Sequence, residues 1–222
     1  MPLARYENSM GNRSLSPWQR SELYYCMMRS TVVIDCKIAR DVTDKGRTVI
    51  DTRRGGGVIL NEQGLILTSL RLVHEVSSIS ATLSDMTTTY EATLVFDIVN
   101  SDLALIKISE LEGGQRLMYA QISPQVLDVG QEVLSIGSSY QLPPFQCSHS
   151  YANELVTFGT QNVLNEEVNW SAHDFPEMIY MIGSPVYDSS GKIVALQQGH
   201  NSHHAIGLPG EKLLEFYLAY NG

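Results

Sequence analysis

Between Thr31 and Ile108 the chain breaks into short β-branched and aliphatic runs, with Gly, Asn and Asp at their turns. The runs are Thr31–Ile38, Thr48–Asp51, Gly57–Leu60, Leu65–Leu67, Ser78–Leu83, Tyr90–Phe96 and Leu103–Ile108. Such spacing predicts about six strands in a closed or sandwiched all-β fold. Ser109–Ala120, with Glu110, Glu112, Gly113 and Gly114, reads as a linker. A second β unit follows from Gln121 to about Gly207. Leu213, Leu214, Tyr217 and Leu218 then recur at helical spacing within Gly210–Ala219. At the other end, residues 1–20 are polar and read as a flexible arm. Trp18–Arg29 fits a short amphipathic helix started by Ser16-Pro17. The expected organisation is an arm with a short helix over 1–30, a first β unit over 31–108, a linker over 109–120, and a second β unit with a C-terminal helix over 121–222.

Length and charge narrow the function. The 222 residues suit one large all-β domain, and 43% hydrophobic residues suffice for a core. No stretch approaches the 18 or so apolar residues of a membrane span. The first residues lack the apolar segment of a secretory signal, so an intracellular location is expected, in the cytoplasm, the nucleus or an organelle. A net charge of −9, with no basic run beyond Arg53-Arg54, argues against binding nucleic acid through its phosphates. Cys26, Cys36 and Cys147 are odd in number and lack metal spacing, which suits reduced thiols.

Several motifs occur in a fixed order. They are Gly55-Gly56-Gly57-Val58-Ile59, Gly64-Leu65-Ile66-Leu67-Thr68-Ser69-Leu70-Arg71-Leu72-Val73, Ser101-Asp102-Leu103-Ala104-Leu105, Val129-Gly130-Gln131-Glu132-Val133, and Met181-Ile182-Gly183-Ser184-Pro185-Val186. Together they resemble the trypsin-like serine proteases of the Deg/HtrA branch, over about residues 31–216. The resemblance implies two packed six-stranded β-barrels with a short C-terminal helix. No module of the PDZ kind is expected, and assembly through the segment before Thr31 is implied for such domains.

The same resemblance shows what has changed. Arg71 stands at the position of the catalytic histidine, and Ile182 at that of the nucleophilic serine. Asp102 matches the triad aspartate. The oxyanion loop is degenerate: Tyr180, Met181 and Gly183 surround Ile182, with Tyr180 in place of a glycine. Ser184 is the alternative nucleophile. Its two-residue offset on an extended chain amounts to about 6–7 Å, whereas nucleophile and base must come within about 3 Å. A guanidinium also cannot act as a base at ordinary pH. Arg71 either replaces the histidine–aspartate hydrogen bond with an ion pair or turns to solvent. Ile182 either fills the vacated site against Leu70 and Leu72 or presents an apolar contact.

Other candidates carry less. His200, His203 and His204 lack an acidic or cysteine partner nearby, and neighbouring strand residues face opposite ways. His173-Asp174 and His74 are misplaced for a rebuilt triad. Gly55-Gly56-Gly57 lacks the Lys-Ser/Thr of a phosphate loop and reads as a flexible hairpin. No cofactor and no metal are expected. The sequence therefore predicts a pseudoprotease, a regulatory or binding protein rather than an enzyme. Its expected partner is a protein or an extended peptide, with a homo-oligomer or an assembly with an active homologue as further possibilities. The alternatives are an active serine endopeptidase with a non-standard site and a structural subunit of a larger assembly.

Overall fold

The computed structural model describes residues 16–42, 47–111, 114–138, 144–158, 168–173, 181–200 and 205–221. Helix α1, Pro17–Ser30, begins with a reciprocal cap: the Gln19 amide donates to the Ser16 side chain, and the Ser16 amide donates to the Gln19 side chain. Leu23 and Met27, one turn apart, face the core. At the helix end the Ser30 and Thr31 hydroxyls both donate to the Met27 carbonyl. The buried Tyr187 hydroxyl, from the second half of the chain, lies 3.2 and 2.9 Å from them. The helix is thereby tied to the second sheet.

Strands β1 (Thr31–Val42), β2 (Arg47–Ile59), β3 (Leu65–Ser69), β4 (Ser78–Thr82), β5 (Thr89–Ile98) and β6 (Leu103–Ile108) close a barrel in the order β1-β2-β3-β6-β5-β4. A one-turn helix, α2 (Leu70–Val73), follows β3. The later strands are β7 (Glu132–Gly137), β8 (Gln146–Phe158), β9 (Val168–His173), β10 (Pro185–Asp188), β11 (Ile193–His200) and β12 (Ala205–Pro209). They pair as β10-β11-β12-β9-β8-β7, and β10 returns to β7 through Val186–Ser135 and Tyr187–Leu134. Helix α3, Gly210–Asn221, follows.

Alternation along the strands explains why they are apolar throughout. Ile34, Ile66 and Ile106 point into the first barrel. Their neighbours Val33, Leu67 and Leu105 join Leu134, Ile136, Leu196 and Leu208 in a core shared by the two sheets.

Three expectations need correction. Thr48–Asp51 and Gly57–Leu60 are parts of one strand, β2, and not two. Gly55-Gly56-Gly57 is strand interior, paired with Ile34, Val33 and Val32, and not a flexible hairpin. A Cβ on any of the three would meet another atom at 2.3–2.7 Å, so close approach of neighbours demands these glycines. In α3 the buried residues are Leu213 and Phe216, while Leu218 is exposed. Phe216 turns inward and Tyr220 lies at the exposed edge, both rings packing on Phe96 with centroids 5.1 and 5.7 Å away.

Candidate functional site

Asp102 ends a 3-10 turn and adopts the left-handed region, with φ 52 and ψ 38. Short polar residues tolerate that region better than most. The turn aims its carboxylate at the start of α2. Ser69 Oγ donates to Oδ2 at 2.7 Å, the Arg71 amide donates to Oδ1 at 2.8 Å, and Arg71 Nε donates to Oδ2 at 2.7 Å. The Asp102 side chain is mostly buried, at 17% exposure, whereas that of Arg71 is 53% exposed. Arg71 is therefore both paired and open to solvent, combining the two alternatives posed by the sequence. The second bond from Arg71 to the carboxylate comes from its backbone amide.

Partners from outside the motifs hold this corner. Arg53 Nη1 donates to the carbonyls of Arg71 (2.8 Å) and His74 (3.0 Å), capping the C-terminal end of α2. Gln198 Nε2, from β11, donates to the carbonyls of Ser101 (2.6 Å) and Asp102 (3.3 Å). Sequence reasoning missed Ser69, Arg53 and Gln198. Ser69 had a local signal, since it immediately precedes the α2 turn. Arg53 and Gln198 act across 18 and 96 or more positions of sequence and had none.

The Met181–Ser184 turn closes the other wall. The Ser184 amide donates to the Met181 carbonyl (3.1 Å), and that of Gly183 to the Gln197 carbonyl (2.8 Å). Gly183 has φ +78, and a Cβ there would lie 2.5 Å from both the Gly56 carbonyl and Thr68 Oγ1. The Ile182 carbonyl accepts from the Gly56 amide at 2.9 Å, so the turn is stitched to β2. Ile182 itself is partly buried.

Ser184 is wholly buried, and its hydroxyl has no hydrogen-bond partner among the described residues. Its Oγ sits where Gly137 and Gly56 leave room: a Cβ on them would come within 1.9 and 2.3 Å of it. The hydroxyl is thus enclosed between the two sheets. His74 is exposed and lies 3.6 Å from Glu75.

None of the thiols is activated. Burial pushes Cys36 up to about 12 and Cys147 up to about 11, and it also raises Cys26. All three are unpaired. Among the described residues no group of three His, Cys, Asp or Glu could hold a metal ion. Tyr180, Asp174, His203, His204 and the side chains of His173 and His200 lie outside the described residues.

Residues 55–196 match the family profile described as Trypsin-like peptidase domain. The chain is 28% identical over 147 residues to Protease Do-like 1, chloroplastic, from Arabidopsis thaliana, covering 64% of this chain and 32% of that protein. It is 28% identical over 144 residues to the Probable periplasmic serine endoprotease DegP-like from Pseudomonas fluorescens, covering 64% and 28%. The chain thus spans about a third or less of the curated relatives it matches. Among solved structures it is similar to the HtrA-type protease AlgW with decapeptide. The TM-score is 0.75 at 14% identity, with 90% of this chain and 65% of that one covered.

Proposed function

We propose that this chain, which belongs to the trypsin-like peptidase domain family, is a non-catalytic member whose old cleft binds an extended peptide. The frame is read as two barrels with the cleft between them. One observation supports the loss of catalysis: Arg71, which the motif register sets at the base position, is bound to Asp102, and the same register sets Ile182 at the nucleophile position. An Arg cannot accept the proton that a nucleophile must lose, and an aliphatic side chain offers no nucleophile. Ser184 does not rescue the reaction, because its hydroxyl is enclosed away from solvent.

Binding rests on different support. Among the described residues the β10 ladder on β11 ends at the Pro185–Leu196 pair and continues through backbone bonds between Gln197 and Gly183 or Ser184. Among those residues no strand pairs with Gln198–His200 on that side, which suits strand addition. A related structure was solved with a decapeptide, which is consistent with this mode. No helix among the described residues is long and apolar enough to cross a membrane. An intracellular location, and self-assembly or assembly with an active relative, belong to the proposal. The test is casein hydrolysis by the purified chain alongside anisotropy of labelled peptide pools. Peptide binding without hydrolysis is expected; fluorophosphonate-sensitive cleavage abolished by Ser184→Ala overturns the proposal.

A further inference from the structure

Resting on that peptide-binding reading, we infer that Arg71 converts the old base position into a carboxylate-reading subsite, so the preferred peptide carries an Asp or Glu there. The argument begins with valence. The Asp102 carboxylate already receives the Ser69 hydroxyl, the Arg71 amide and Arg71 Nε. Only Nε of the guanidinium is spent on it. The Arg71 side chain has no other hydrogen bond among the described residues, so its two terminal amino groups remain as a planar pair of donors. Such a pair matches the two oxygens of one carboxylate. Because Asp102 fixes Nε, the fork is oriented before any ligand arrives, which reduces the ordering cost of binding.

The surroundings favour an anion. Arg53 is held at the end of the same helical turn, with Nη1 on the carbonyls of Arg71 and His74. Glu75 lies within 3.6 Å of His74 Nε2. The subsite also borders the cleft. A Cβ on Gly183 would lie 3.2 Å from the Ser69 amide, and one on Gly55 would meet both the Ile182 carbonyl and Leu72. Ser69 and Leu72, which flank the Arg71 position, thus lie close to the turn carrying Ile182, which offers an apolar neighbour for the residue next to the acid. The chain as a whole carries −9, so general attraction does not supply a preference for anions. Any such preference must be local.

The test uses two fluorescein-labelled dodecapeptide pools, randomised except at one central position. That position is Asp or Glu in one pool and Asn or Gln in the other. Anisotropy is read with the wild type, Arg71→Gln and Arg71→Lys, each first checked by circular dichroism to be fully folded at the assay temperature. The wild type should bind the acidic pool about fivefold more tightly, the upper range for a partly exposed ion pair. Arg71→Gln should erase the preference, and Arg71→Lys should retain only part of it. Equal binding of the pools by the wild type, or a preference that survives Arg71→Gln, overturns this subsite and leaves the peptide-binding reading standing. Binding of neither pool overturns both.

Discussion

Removing the two partners of the Arg71–Asp102 pair should have very unequal consequences. Arg71→Ala deletes one donor of three, from a side chain that is 53% exposed. The carboxylate keeps the Ser69 hydroxyl and the residue-71 amide, and water can replace the guanidinium. Exposed pairs of this kind contribute about 0.5–1 kcal/mol after solvent screening. Asp102→Ala is different. It strands the buried Ser69 hydroxyl and the amide of residue 71, each costing about 1 kcal/mol or more. It also places alanine at φ 52, adding about 1 kcal/mol. The sum is about 3–4 kcal/mol. Urea denaturation of both single variants and the double variant gives the free energies and the coupling, which should be about 0.5–1 kcal/mol. In 1 M NaCl the Arg71 contribution should shrink, whereas the Asp102 cost should hardly change. A loss of 3 kcal/mol from Arg71→Ala alone, or equal losses from the two variants, would refute this division of labour.

Other outcomes follow from the same geometry. Gly56→Ala should destabilise by about 1–3 kcal/mol or more in thermal melts, since the new Cβ would lie 2.3 Å from Ser184 Oγ and 2.9 Å from its Cα; adding Ser184→Gly should recover part of that, and an unchanged melting temperature for Gly56→Ala counts against the packing. Stability should decline as pH rises from about 9 to about 12, because burial raises Cys36 to about 12, Cys147 to about 11 and Tyr187 to about 12. The unfolded chain then loses protons that the folded chain keeps, so each group removes up to about 1.4 kcal/mol per pH unit within its window; Tyr187→Phe should flatten the alkaline limb, and an unaltered slope contradicts this assignment. Restoring Arg71→His together with Ile182→Ser should leave peptide hydrolysis at background, because Tyr180 holds a position where the oxyanion loop needs a glycine; loss of one aimed donor alone costs about 3–4 kcal/mol in catalysis. Turnover typical of a Deg-type protease in that double variant would undo the loop argument.

Much of the fold could be read because local patterns carried it. Leu65–Leu67 and Leu103–Ile108 read as strands from composition alone, and Ser16-Pro17 marked the start of α1 within one residue. Gly55-Gly56-Gly57 misled for a physical reason. Glycine signals a turn when only neighbours in sequence are considered, but here it makes room for Ile182 and Ser184, more than 100 positions away. Leu218 misled similarly: helical spacing allowed two adjacent faces, and the aromatic contacts of Phe216 and Tyr220 with Phe96 chose between them. At the site, motif register located Arg71, Asp102 and Ile182. The pairing of Arg71 with Asp102 was one of two alternatives that chemistry left open, and Arg71 is both paired and exposed. The Ser69 bond and the grips of Arg53 and Gln198 are tertiary facts with no spacing rule behind them.

The central claim is that this peptidase frame lacks a reactive nucleophile. Intact-mass spectrometry after incubation of the native chain with a fluorophosphonate addresses it directly, because a serine activated for acyl transfer gains one phosphonyl group per chain. With Ile182 proposed at the nucleophile position and Ser184 enclosed between Gly56 and Gly137, the mass should not change. Stoichiometric addition of one phosphonyl group, mapped to Ser184 or to any other serine and lost on heat denaturation before labelling, would contradict the account.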